Sequence, residues 1–246
     1  ICCCSALGSW VQGFTRWDSA HFLAVSRHGW TAAHEYSHAF LPLYPFLVRA
    51  LAALLSRLAV LPLCDAELFV VSGLLLSNTC FVVAAGSLYR LSKCVLRDAT
   101  MARASAQLFC MSPASVFFST VHAESAYAAA SFGGLLLFEC GAGWVAAWTL
   151  ALASIGRANG ILNAMPVACD ALRCMGQSFE RASCELSHTP VVAASACLSS
   201  ASRVLGVALR VCLVAAPYLT WQTLGYWRVC SDGVGADGPW FRWWLQ

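Results

Sequence analysis

In the run 67–89, ELFVVSGLLLSNTCFVVAAGSLY, the 22 positions after Glu67 hold no Asp, Glu, Lys, Arg or His. That is about the length an α-helix needs to cross the roughly 30 Å hydrocarbon core of a bilayer. In lipid a lone segment must satisfy its backbone hydrogen bonds internally, so a run of this kind is a helix before it is anything else. The other 223 of the 246 residues have to be compatible with a membrane.

They are. Hydrophobic residues make up 59% of the chain and charged ones only 11%, against roughly 25% charged in a soluble domain. Further apolar runs occupy 40–63 (FLPLYPFLVRALAALLSRLAVLPL), 105–125, 126–144, 145–162 and the 37-residue stretch 191–227. The last reads as one long tilted helix or as a span preceded by an interfacial piece. The expectation is an all-α, polytopic transmembrane helical bundle with five complete spans, or six. Ala, Gly and Ser in the later runs suit close helix packing in lipid.

The chain reads as one domain, incomplete at both ends. Residues 1–14 read as the end of a first helix, 15–39 as an interfacial loop, 40–227 as the bundle and 228–246 as the start of a later loop. A formal charge of +3, scattered through short loops, offers no basic face for nucleic acid. The 14 cysteines contain no CxxC pair and read as small apolar helix residues. The strongest basic segment is 90–103, with Arg90, Lys93, Arg97 and Arg103 against Asp98. It reads as a loop, cytosolic by the positive-inside rule.

Polar groups concentrate in RWDSAHFLAVSRHGW, residues 16–30. On a short surface helix Asp18 and His21 are i, i+3 neighbours, flanked by Trp17 and Phe22 at headgroup level. An amphipathic anchor with solvated charges explains the same pattern. His28, His34 and His38 follow. His34 and His38, at i, i+4, can face one side of a helix, but there is no HExxH and no third ligand beyond Glu35, which favours hydrogen bonding and phosphate contact over metal.

Glu124, beside His122, stands at the edge of an apolar run, where an ionisable group either faces a polar cavity or reaches the headgroups. Arg157 and Asn159, in SIGRANGI, end another run. An arginine there either snorkels or holds an anion by its planar fork. Arg49, Arg57, Arg203 and Arg210 are further arginines within apolar runs and are assigned no chemistry.

RWDSAHF, HGW…H, AFLPLYP, FCMSPASVFFSTVHAESAYA and GRANG, in this order and at these separations, resemble the GPI mannosyltransferase II family, from about Phe14 to Tyr226. The resemblance implies a multispanning endoplasmic reticulum glycosyltransferase of the GT-C type. Its donor would be dolichyl phosphate mannose and its acceptor the mannosylated GPI intermediate, to which it adds the second mannose in α-1,6 linkage. Members are about twice this long. The residues implicated are Trp17, Asp18, His21, His28, Gly29, His34, Pro42, Pro45, Ser112, Pro113, Glu124, Arg157, Asn159 and Gly160. Ala20 and Ala33 stand where the family often has acids, which leaves the carboxylate burden of the first loop on Asp18.

A β-linked donor and an α-linked product imply inversion in one displacement. Such a step needs a carboxylate to take the acceptor's proton, whereas the phosphate leaves without an acid. Asp18 is the first choice for base and Glu124 the second choice or a helper. Arg157, with Arg16, His21 and His28, is the candidate anion holder. Trp17, His34, His122 and Asn159 complete the expected substrate contacts. No DxD-type clamp occurs, so neither metal nor cofactor is expected.

Two other readings stay open: a transporter lined by Glu124, Arg157 and Arg203, and a noncatalytic membrane subunit. Another GT-C enzyme using lipid-linked sugars is a closer alternative, and a small partner subunit is compatible with any of them. Convergence of Asp18, Glu124 and Arg157 favours the enzyme. One conflict is explicit. Two complete crossings at 40–89 would put residues 16–38 on the same side as the basic segment, whereas the resemblance puts them in the lumen; then either the basic segment is lumenal too or one of the two runs fails to cross fully, which Pro42, Pro45 and Pro62 allow, and the side of 90–103 stays open.

Overall fold

A computed structural model describes residues 13–30, 35–58, 63–185 and 190–230. Among them there is no strand. The expected first helix end at 1–14 falls almost entirely outside the described residues, and so do His34 and residues 231–246 of the expected later loop, whose first residues, 228–230, belong instead to the last helix.

Helix α1, Asp18–His28, begins with an acid in its first turn and ends with Arg27 and His28 in its last. Both placements complement the helix dipole. Gly29, at φ 78°, ends it with its N–H on the Val25 carbonyl, 2.8 Å away. A 3-10 turn, Glu35–Ala39, leads into α2, Leu43–Arg57.

Helix α2 corrects the expectation that 40–63 is a complete crossing. Its 15 residues extend about 22 Å, short of the bilayer core. Polar contacts hold it beside α1 and the first part of α3, Asp65–Leu96. Tyr44 Oη donates to the Gly73 carbonyl at 3.1 Å and lies 2.7 Å from Ser77 Oγ. Arg49 donates to the carbonyls of Ser26 and Arg27 at 2.7 and 3.0 Å, satisfying acceptors that the end of α1 leaves open. Arg27 in turn pairs with Asp65 at 2.8 Å. Arg49, an arginine within an apolar run, is thus a helix cap.

The capping box of Cys64 and Glu67 starts α3. It then runs unbroken for 32 residues, 65–96, carrying the first half of the expected basic loop, with Arg90 and Lys93, on its last turns. Arg97 adopts the left-handed conformation at φ 54°. Asp98 immediately caps α4, Ala99–Cys110, by accepting from the backbone of Thr100 and Met101 at 2.6 and 3.1 Å. The segment 90–103 is therefore two helix ends and a tight reversal. Between α1 and this basic end, α3 is the one described helix long and apolar enough to cross.

The expected span 105–125 is also revised. Helix α4 stops at Cys110, and a separate five-residue helix α5, Ser115–Ser119, follows. Pro113 lacks a backbone N–H and disfavours a helical residue before it, so the chain breaks at Ser112–Pro113. The pieces nonetheless return together along α3. Phe81 packs against Phe109 and Phe118 at 5.4 and 5.3 Å, and Asn78 donates to the Ser119 carbonyl at 3.1 Å.

Helix α6, Glu124–Glu139, and α7, Gly143–Gly156, form a hairpin. The run 145–162 does not continue as one helix. Arg157 is extended, and a 3-10 segment, Ala158–Asn163, folds back on α7. Gly160 makes this fold-back fit, since a Cβ there would run into the Ala153 carbonyl. Asn163 Nδ2 donates to Ser131 Oγ of α6 at 2.9 Å. Helix α8, Ala164–Glu185, continues away, and α9, Pro190–Cys230, is a single 41-residue helix containing Pro217. Among the described residues only 65–96 and 202–227 are unbroken helices long and apolar enough to cross.

Two apolar clusters carry the packing. Phe22, Leu23, Tyr44, Val48, Val70, Val121, Ala123 and Ala126 join α1, α2, α3 and the start of α6. Ala147, Leu150, Val167, Val207 and Val214 join α7, α8 and α9. The first cluster lies directly under the polar residues considered next.

Candidate functional site

His122 lies on the turn between α5 and α6, outside both helices, and is buried. Its Nδ1 is 3.1 Å from Ser19 Oγ of α1 and 2.8 Å from Thr120 Oγ1. The ring meets Phe22 edge-on at 6.3 Å and Phe117 at 5.3 Å. Burial pushes the imidazole below its ordinary pKa, opposed by the carboxylates of Glu124 and then Asp18, while Arg157 adds to the lowering. A neutral ring follows at pH 7. The chain positions here span 18 to 157, yet all three charged groups act on one imidazole.

Asp18 opens α1, exposed, one residue from the buried Ser19 that anchors this turn to His122. Its neighbour Trp17 has φ 59° and is 79% exposed. Positive φ is costly for a bulky residue, so the backbone is strained where the chain turns into α1. Arg16 and Trp17 both face outward here. His21 is half-buried one turn along α1 and stacks on Phe40 at 5.2 Å.

Glu124 is the first residue of α6, where a carboxylate suits the helix N-terminus. Its Oε1 accepts from Arg157 Nη1, joining the start of α6 to the end of α7. The other oxygen, Oε2, is buried without a hydrogen-bond partner, and so is the hydroxyl of the adjacent Ser125. A buried carboxylate oxygen with no partner is rare in a folded protein. It leaves an acceptor available to a hydroxyl-bearing ligand. Arg157 is about a third exposed and has donors beyond the one engaged by Glu124.

The arrangement therefore brings together Asp18, His122, Glu124 and Arg157, with Arg16, Trp17 and His21 on the same end of α1. Two sequence candidates lie apart. His28 is exposed at the opposite end of α1, about 15 Å along the helix from Asp18, beside the Arg27–Asp65 pair. Asn159 is exposed beyond Arg157 on the 3-10 segment. Among the described residues no three His, Cys, Asp or Glu side chains are grouped as metal ligands would be.

Sequence reasoning missed Ser19, Thr120, Tyr44 and Ser77, the hydroxyls that hold this turn in place. Ser77 Oγ donates to the His122 carbonyl at 3.4 Å, linking it to Tyr44. In an apolar chain, serines read as small packing residues. Only the alternation of Ser19 with Asp18 around one helix turn hinted otherwise. It missed as well that His38, on the 3-10 turn, stacks on Trp221 of α9 at 4.5 Å and lies 3.0 Å from its carbonyl.

Residues 4–246 match the family described as mannosyltransferase (PIG-V). Mouse GPI alpha-1,6-mannosyltransferase 2 is 31% identical over 239 residues, covering 93% of this chain and 43% of the mouse protein. The rat protein of the same name is 35% identical over 153 residues, 62% of this chain and 30% of that one. GPI mannosyltransferase 2 of Chaetomium globosum is 28% identical over 256 residues, 93% of this chain and 51% of the fungal protein. The chain thus spans about half the length of these curated relatives. No solved structure matches. With its described residues all helix and connecting turns and the family match running almost end to end, the chain belongs to the PIG-V mannosyltransferase family.

Proposed function

We propose that the protein transfers mannose from dolichyl phosphate mannose to a GPI anchor precursor, adding the second mannose in α-1,6 linkage with inversion. The observation that carries this reading is the grouping around His122: its ring meets Ser19, next to Asp18 on α1, and it lies two residues from Glu124, which holds Arg157. A transporter needs its charged groups along a path, and a noncatalytic subunit has no use for the grouping. The curated relatives bear GPI mannosyltransferase names.

Asp18 is the general base. It is exposed and carried on a turn fixed by Ser19, so it can meet an acceptor hydroxyl and take its proton as the oxygen attacks the anomeric carbon. The bond from that carbon to the donor phosphate breaks, and the electron pair leaves on the phosphate. Arg157 stabilises that leaving charge with its remaining donors, in a site where Glu124 holds its guanidinium still. Glu124 Oε2 and Ser125 orient the acceptor by accepting or donating to a second hydroxyl. His122, neutral and buried, positions α1 rather than moving the proton. The reading assigns no metal or cofactor to the reaction.

A lumenal placement is part of this proposal. Helix α3 is the one described helix between α1 and the basic residues 90–103 that is long and apolar enough to cross, so a cytosolic basic end by the positive-inside rule goes with an Asp18 end in the lumen of the endoplasmic reticulum. That reading agrees with a donor presented in the lumen. The test is rescue of cells lacking the second GPI mannosyltransferase by the full-length gene. Asp18→Asn should reach the membrane and restore no surface GPI proteins, a loss of about 10²–10⁴-fold in rate. Full rescue by that variant would overturn Asp18 as base.

A further inference from the structure

The helices α6 and α7 that carry Glu124 and Arg157 at one end enclose a second polar cavity at the other. It has a volume of about 500 Å³ and lies between Glu139 at the end of α6, Gly143 at the start of α7, Asp170 and Arg173 of α8, and Arg210 of α9. The 14 residues of α7 set the two regions about 20 Å apart. Two carboxylates and two guanidinium groups line this cavity, and among the described residues none of the four makes an ion pair within 4.0 Å. Charges of both signs thus line one space, with Glu139 and Arg173 exposed and Asp170 and Arg210 partly buried.

The cavity is shaped around Arg210. Its Nε donates to the Gly206 carbonyl at 3.1 Å, and its guanidinium carbon is 6.0 Å from the Trp144 ring centre. Those contacts fix the fork against Gly143, where a Cβ would collide with Nη1. Only a glycine leaves room for this placement. Trp144 and Trp148, 52% and 64% exposed on the outer face of α7, suit the headgroup level of a bilayer.

We propose that this cavity binds the headgroup of a zwitterionic phospholipid carrying a primary ammonium. The planar forks of Arg173 and Arg210 suit the phosphodiester oxygens. Glu139 and Asp170 suit the ammonium, which offers three donors. A purely anionic headgroup would leave both carboxylates unmatched, and a quaternary ammonium would offer them no N–H. The site is separate from the mannosyl-transfer reading and does not rest on it.

The full-length protein is reconstituted in nanodiscs of phosphatidylcholine containing a minor fraction of phosphatidylethanolamine, phosphatidylglycerol or neither. Cys169 lines the cavity and is exposed, so its alkylation rate, read by peptide mass spectrometry, reports occupancy without any substitution. Phosphatidylethanolamine should slow Cys169 alkylation about tenfold or more and leave Cys94, an exposed thiol on α3, unchanged. Phosphatidylglycerol should not. The double variant Glu139→Gln/Asp170→Asn should lose this protection while keeping rescue activity, which shows that it folds. In phosphatidylcholine discs, protection by soluble phosphoethanolamine at equal strength would assign the same chemistry to a soluble ligand and overturn the lipid. Equal rates in all three discs would overturn the site.

Discussion

Arg157 Nη1 donates to Glu124 Oε1 across 33 residues of sequence, tying the last residue of one helix hairpin to the first. The pair closes the α6–α7 hairpin at the end where the candidate site lies. The side chains are 36% and 25% exposed, between the surface and buried cases. Removing one partner should cost roughly 1–3 kcal/mol, more than an exposed pair and less than a fully buried one.

Arg157→Lys should keep much of that stability and lose transfer. A lysine can reach Glu124, but it lacks the fork that holds Glu124 and an anion at the same time. Glu124→Gln should lower transfer through orientation and keep more activity than Asp18→Asn. The measurement is thermal unfolding in detergent alongside mannose transfer in membranes. Arg157→Lys with full activity would remove Arg157 from the leaving-group role.

Gly160→Ala should destabilise the protein by about 1–3 kcal/mol, because the added Cβ meets the Ala153 carbonyl, a backbone atom that cannot move aside. Gly86→Ala is the matched control. It lies within α3, a Cβ there meets nothing within 4 Å, and alanine favours the helix by roughly 1 kcal/mol. The two substitutions should therefore move the melting temperature in opposite directions. A shift of the same sign in both would contradict the fold-back of 158–163.

Acid should loosen the site end before the rest of the bundle. Burial lowers the His122 pKa below its ordinary 6.5, so the unfolded chain binds the proton more readily than the folded one. The stability linked to His122 is thus fully present above pH 6.5 and is lost as pH falls through the lowered folded value. Hydrogen exchange of residues 120–125, corrected for intrinsic rates, should show falling protection below that pH. His122→Gln should flatten the dependence.

Accessibility labelling checks the topology. In a cysteine-free background, Ala20→Cys, exposed beside Asp18, should react with an impermeant maleimide only from the lumenal side of sealed microsomes. Native Cys94, restored alone and exposed at the far end of α3, should react only from the cytosolic side. Labelling of both from one side would restore the second crossing that α2 lacks.

The uncharged run 68–89 was legible because length and apolar character suffice for a span, and α3 contains it. The motifs around Asp18, Glu124 and Arg157 were legible as chemistry because charged groups in an apolar chain have few reasons to be there. The run 40–63 stayed open between a full and an incomplete crossing, because hydropathy and the prolines Pro42, Pro45 and Pro62 do not show Tyr44 bonding to Gly73 or Arg49 capping α1. Both contacts join residues distant in sequence, and they decide that α2 rests beside the site instead of crossing. The break at Pro113 was visible as a proline, but that the two pieces continue the same passage depends on Phe81 packing against both. His38 stayed ambiguous for the same reason, since its partner Trp221 is 183 positions away.

That separation also sets a timetable. Ser19 must wait for His122, 103 positions later, and His38 for Trp221. At about 5–20 residues per second of synthesis, α1 lacks its anchor for roughly 5–20 s and the 3-10 turn lacks its cover for roughly 10–40 s. Helix α2, with Phe46 and Leu54 outward, waits less: Arg49 can bond α1 at once, and the partners of Tyr44 follow 29 and 33 positions later. Slowing translation between residues 44 and 77 should then raise the fraction of molecules with an inverted first segment, making correct topology a matter of ribosome speed as much as of final stability.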